Sequence, residues 1–182
     1  MKKIISILLG LAVLISCTAA LAETAEKSVL GSVYVNGEFT LKAAIPEGYT
    51  METIDSDSNG IMVLFNSEDI DKPILLLTIG LEDSWEAGTR LNNVSAEDLA
   101  EIEASFYEED NPVEISYTET EHGTKLLVAN YAESNMVIIY TLYEGYEIEF
   151  MLSNVNGTEL TSEQIDSCIK FLSDLDFVPI EK

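Results

Sequence analysis

The spacing of apolar and polar positions changes several times along the chain, and most of the changes mark strands. Between Val113 and Ser153 four runs of strand length and composition (VEISYTET, KLLVANYAE, MVIIYTLY, YEIEFMLS) are separated by Glu121-His122-Gly123, Ser134-Asn135 and Glu144-Gly145. Gly, Asn and Ser at these breaks supply hairpin turns, so the stretch reads as an antiparallel meander. Upstream, Asn36-Gly37 separates two alternating runs, the second of which puts Phe39, Leu41 and Ala43 on one face before the turn Pro46-Glu47-Gly48-Tyr49. Met51 to Ile54, Ile61 to Phe65 and Ile74 to Leu81 read as further strands. Ile74–Leu81 and Met136–Tyr143 lack polar alternation, which predicts cover on both faces of the sheet.

Two segments follow the helical period. Ser95 with Asp98 forms a capping box ahead of Ala96 to Glu108, where Leu99, Ile102 and Phe106 are spaced for one face, and Asn111-Pro112 stops the helix. Thr161 with Gln164 forms a second box, followed from Ser162 to about Asp174 by a stripe of Ile165, Cys168, Ile169 and Leu172. A last extended piece, Phe177 to Ile180, is placed on a sheet edge. Strands outnumber helices and are joined by tight turns instead of helical crossovers. The expected fold is therefore α+β, a mostly antiparallel sheet of about six to eight strands with two main α-helices packed on its faces.

The order of these elements resembles PsbP-like domains. Gly37-Glu38-Phe39-Thr40-Leu41 followed by Ile45-Pro46-Glu47-Gly48-Tyr49 is similar to the family's opening motif, and Phe171 to Phe177 is similar to its closing helix-to-strand motif. The resemblance implies an antiparallel sheet between helices, an α/β/α sandwich, spanning residues 33–182. The family includes many exported bacterial proteins of unassigned role. No residue here matches the partner contacts of its better-known members, so the resemblance implies a fold and no partner.

The amino terminus changes the picture from fold to address. Met1-Lys2-Lys3, an apolar run from Ile4 to Ile15 and the end Ala20-Leu21-Ala22 have the layout of a secretory signal peptide, too short in its apolar part to span a bilayer. The expected division is residues 1–22 as signal, 23–32 as a short linker and 33–182 as a single domain. A competing reading takes Leu14-Ile15-Ser16-Cys17 as a lipobox with Cys17 lipidated. Membrane contact is then expected only through the signal segment or that lipid.

Of the 182 residues, 33 are acidic and nine are Lys or Arg, giving a formal charge of −24 that becomes two units more negative without Lys2 and Lys3. Such a field repels nucleic acid and favours cations and basic partners. Past the signal, Cys168 is the one cysteine, so no internal disulfide is expected, and its place on an apolar helical face reads as a buried thiol.

Candidate chemistry is sparse. Asp55-Ser56-Asp57-Ser58-Asn59-Gly60 is the first half of a calcium loop, with Asp55, Asp57 and Asn59 as oxygen ligands, although the twelfth position is Asn66 where a bidentate Glu belongs. A hairpin turn uses the same residue types. His122, the sole histidine, sits at a hairpin tip without a triad or metal cluster. No hydrolase elbow, metalloprotease motif or phosphate-binding glycine loop occurs. Tyr131, Tyr140, Tyr143 and Tyr146 cluster in the meander and read either as core or as the lining of a groove between sheet and helix. The expectation is a non-enzymatic, exported binding or accessory module at the bacterial cell envelope, without a cofactor and with an unidentified protein or small ligand as partner. A calcium-dependent extracellular module using Asp55 to Gly60 is the alternative.

Overall fold

The computed structural model of the protein describes residues 26–33, 39–56, 60–81, 85–107, 111–154 and 156–180. Seven strands form one antiparallel sheet: β3 (Thr50–Ser56), β4 (Gly60–Asn66), β5 (Ile74–Leu81), β6 (Glu114–Glu119), β7 (Lys125–Tyr131), β8 (Met136–Tyr143) and β9 (Tyr146–Ser153). Their spatial order is β3-β4-β5-β9-β8-β7-β6. A second, three-stranded antiparallel sheet has β2 (Phe39–Ala43) between β1 (Ser28–Val33) and β10 (Asp176–Pro179). Helices α1 (Ala96–Ser105) and α2 (Ser162–Ser173) complete the α+β fold.

The meander is present as read. Asn135 at φ 49° and the pair Glu144 (φ 55°) and Gly145 (φ 87°) supply the left-handed turn conformations between its strands. Tyr143 pairs with Tyr146 directly across the second of these turns. Both capping boxes are also present, with the Ser95 hydroxyl accepting from the Asp98 amide and the Thr161 hydroxyl accepting from the Gln164 amide. Helix α1 ends at Ser105 with Phe106 as its C-cap, whereas the expected end, Glu108, lies outside the described residues.

The small sheet departs from the expected single sheet. β1 begins at Ser28, inside the segment expected to be a linker, because Leu30 is buried in the main core and β1 pairs with β2 in the register Val33 to Phe39. Gly31 lets this strand approach: a Cβ there would lie 2.7 Å from Cγ2 of Ile61 on β4. The carboxyl-terminal strand β10 pairs with the other side of β2, so the two ends of the domain share one sheet.

Two cores lie on opposite faces of the large sheet. On one face Ile61, Val63, Phe65, Leu77, Ile79, Ile139 and Phe150 meet Leu30, Phe39 and Leu41 of the small sheet and Cys168, Phe171 and Leu172 of α2. Phe171 lies 5.2 Å from Phe150 in a stacked arrangement and 5.3 Å from Phe65 edge to face. On the other face Leu127, Ala129, Tyr131, Tyr140 and Leu142 meet Ile102 and Phe106 of α1 and Leu91 of the preceding connection. One helix therefore serves each face, and α2 shares its face with the small sheet.

Cover on both faces holds for β8 and fails for β5. Leu75, Leu77 and Ile79 are buried, whereas Ile74, Leu76 and Thr78 on the opposite face are only half-buried and belong to neither core. An unbroken apolar run marked a centrally placed strand, but α1 is too short and too far towards β6 to reach across it.

Candidate functional site

A concavity lies along the amino-terminal half of α2, where two loops are clamped beside it. In the first loop the Tyr49 amide donates to Pro46 O at 3.1 Å across Gly48, whose φ of 79° favours glycine. The Tyr49 hydroxyl then donates to Pro73 O at 2.9 Å, and Lys72 Nζ donates to Glu47 O at 2.7 Å while lying 5.4 Å from the Tyr49 ring centroid. Gln164 Nε2 donates to Asp71 O at 3.3 Å, tying α2 to the second loop. The resulting groove has a volume of about 450 Å³, with Pro46, Tyr49, Pro73, Leu75 and Phe171 as apolar walls and Lys72, Glu163, Gln164 and Ser167 among its polar groups.

Burial acts on two of the groove's titratable groups. Burial pushes the Tyr49 phenol up to about 12, with smaller contributions from Cys168 and Asp69. Burial also pushes the Cys168 thiol up to about 12. Neither group carries charge near neutral pH, so neither is an activated nucleophile or a base there. The volume is that of a small-molecule pocket, and its lining mixes apolar walls with polar and charged groups from both loops and from α2.

A smaller cleft of about 240 Å³ lies between the far end of α2, β10 and the meander turns. Arg90, His122, Tyr143, Thr120, Thr141 and Ser173 contribute its polar groups. Most of these are already engaged inside the fold. Arg90 Nε donates to Glu144 Oε1 at 2.9 Å, and the guanidinium lies 4.8 Å from the centroid of Tyr143. Tyr143 in turn stacks on Phe177 at 4.4 Å. The Thr141 hydroxyl donates to Lys125 O at 2.8 Å, and the Thr120 hydroxyl accepts from the Thr124 amide at 3.1 Å.

The residues singled out from the sequence are dispersed. Tyr131, Tyr140 and Tyr146 are 2%, 3% and 3% exposed, so the core reading holds for them and the groove reading does not. The Tyr131 hydroxyl donates to Phe106 O at 2.6 Å, the Tyr140 hydroxyl donates to Glu147 Oε1 at 3.0 Å, and Tyr146 meets Phe39 edge to face at 5.1 Å. Tyr143 alone of the four lines a cleft, the smaller one. His122 is exposed at its hairpin tip, as expected, and borders the same cleft.

Asp55 is an exposed member of β3 opposite Met62, and Ser56 next to it pairs with Ile61. Asp57, Asn59 and the lipidation candidate Cys17 lie outside the described residues. Among the described residues no group of three or more His, Cys, Asp or Glu side chains is arranged to hold a metal ion. No helix among them is long and apolar enough to cross a membrane.

The groove brings together Tyr49, Lys72, Pro73, Gln164 and Cys168, which are far apart in sequence. Two of its supports were visible beforehand, the Pro46–Tyr49 turn and the apolar stripe of α2. Lys72 and Pro73 gave no signal of their own, because their role depends on where their loop meets the helix. No family model matches the chain, and no curated protein or solved structure is significantly similar to it.

Proposed function

We propose that this chain is an exported, non-enzymatic binding module of PsbP-like fold acting at the bacterial cell envelope, and that its ligand is a small apolar or amphipathic molecule held along α2. The observation that carries the reading is the groove itself: about 450 Å³, with apolar walls from Pro46, Tyr49, Pro73, Leu75 and Phe171, with the Tyr49 phenol and Cys168 thiol held in the neutral form, and with charged groups such as Lys72 and Glu163 for a polar end. Apolar surface buried there favours binding in proportion to its area, roughly 25 cal/mol per Å² before the costs of association. Lys72 and Gln164 at the side of the groove orient a polar end of such a ligand. Export rests on the segment Met1 to Ala22, and the family relationship rests on the two motifs and the order of elements.

Titration with the neutral apolar dye N-phenyl-1-naphthylamine tests the reading. Saturable binding at one site is expected, weakened at least tenfold in Ser167→Trp, where an indole on the exposed side of α2 fills the groove. Unsaturable binding, or affinity unchanged in a folded Ser167→Trp variant, counts against it.

A further inference from the structure

Among the described residues, no helix or loop packs on half of one face of the large sheet. Seven strands spaced about 4.8 Å apart put roughly 29 Å between the two edge strands, whereas one packed helix covers about 10 Å. Helix α1 packs on β6, β7 and β8 through Ile102 and Phe106. From β8 across β9, β5, β4 and β3 the same face carries two cross-strand rows, in which the apolar members from β9 to β4 are half-buried and Glu52, Asp55 and Glu149 are exposed. One runs Ile138, Met151, Leu76, Leu64, Glu52, and the other Tyr140, Glu149, Thr78, Met62, Asp55. Leu64, Leu76, Met62 and Met151 belong to neither core, and no described element packs on them.

The apolar middle of this surface has an acidic frame. Glu52 and Asp55 stand at the β3 edge, Glu149 stands within the second row, and Glu147 lies beside it on the same strand and face. Burial, and then the neighbouring charge of Glu147, pushes the Glu149 carboxyl above the usual range, so a cation placed there relieves an existing penalty. Methionine and leucine offer an adaptable apolar bed, and acidic groups around it select a basic occupant. A second copy of this chain brings the same carboxylates onto themselves at a formal charge of −24, and an anionic lipid surface is repelled in the same way.

We propose that the β3–β4–β5–β9 part of this sheet face is the docking surface for a cationic amphipathic helix of a partner protein, lying beside α1. The leucines or methionines of that helix rest on Leu64, Leu76 and Met151, and its lysines or arginines reach Glu52, Asp55 and Glu149. The interface completes the layer that α1 begins. Its electrostatic part weakens with salt, because the carboxylates are at the rim.

The probe is a synthetic amphipathic helical peptide of Leu and Lys, compared with a scrambled peptide of the same composition. Titration followed through Trp85, the sole tryptophan, which bonds to Glu147 beside this surface, is expected to show binding at least tenfold tighter for the amphipathic peptide. Leu76→Lys with Met151→Lys is expected to weaken it at least tenfold, and Glu149→Gln several-fold with a shallower salt dependence. On the unaltered chain, a photo-crosslinking version of the peptide is expected to attach to β4, β5 and β9, a readout independent of variant folding. Equal affinity for the scrambled peptide, or crosslinks elsewhere, overturns the proposal. Self-association of the chain alone that is abolished by Leu76→Lys also overturns it, in favour of a second copy.

Discussion

Trp85 Nε1 donates a hydrogen bond to Glu147 Oε1 at 2.9 Å, joining the connection before α1 to the inner strand β9. The same carboxylate oxygen accepts from the Tyr140 hydroxyl at 3.0 Å, so one acidic side chain serves two aromatic donors at the margin of the second core. This explains how an irregular segment is held on the sheet.

Glu147→Ala removes the oxygen to which Trp85 and Tyr140 donate, and a loss of about 1–3 kcal/mol is expected. Glu147→Gln keeps an oxygen in place and is expected to lose less. Urea unfolding followed by circular dichroism measures both. Equal stability of the alanine variant and the parent would show that water replaces the carboxylate at no cost.

Alkaline pH is expected to destabilise the fold through Tyr49 and Cys168. Ordinary values for the two groups are 10 and 9, and burial raises both to about 12 in the folded chain. The unfolded chain therefore loses these protons first, so their contribution is complete below about pH 9 and is lost as pH rises towards 12. Urea midpoints measured at pH 8 and pH 10.5 should fall, and the fall should be smaller in Cys168→Ala with Tyr49→Phe. In native protein at pH 8, Cys168 should react slowly with Ellman's reagent and rapidly once urea unfolds the chain.

Calcium is expected to leave thermal stability unchanged. Asp55 is committed to β3 opposite Met62, and the β3–β4 ladder resumes at Gly60. Calorimetry at millimolar calcium checks this. Heat of binding that disappears in Asp55→Ala with Asp57→Ala would restore the calcium-dependent module.

Export predicts a mature chain beginning at Glu23, which intact-mass measurement of protein recovered outside the cytoplasm decides. Fatty-acid labelling that is lost in Cys17→Ala would instead establish the lipid anchor.

Much of the fold was legible because local chemistry and tertiary structure agree. Hairpin turns at Asn135 and Glu144-Gly145 and helix starts at Ser95 and Thr161 are set by residues within a few positions of one another. The small sheet was less legible. β1 and β10 are short, lie at opposite ends of the domain and are held by the partners they find on β2, which no local period encodes. The tyrosines divide for a similar reason. Tyr140 and Tyr143 share one strand, but they point to opposite faces, one onto α1 and Glu147 and the other onto Arg90 and Phe177. Alternation sets that division, whereas whether a face ends in core or cleft depends on the elements that cover it. The groove at Tyr49 was hidden because it is made where two loops meet a helix distant in sequence.

Amide chemical shifts during titration with a neutral apolar ligand test the binding reading most directly. Perturbations concentrated at Gly48, Tyr49, Lys72, Gln164 and Cys168 are the expected result. An unperturbed spectrum, or shifts confined to the meander around Tyr131 and Tyr140, would contradict it.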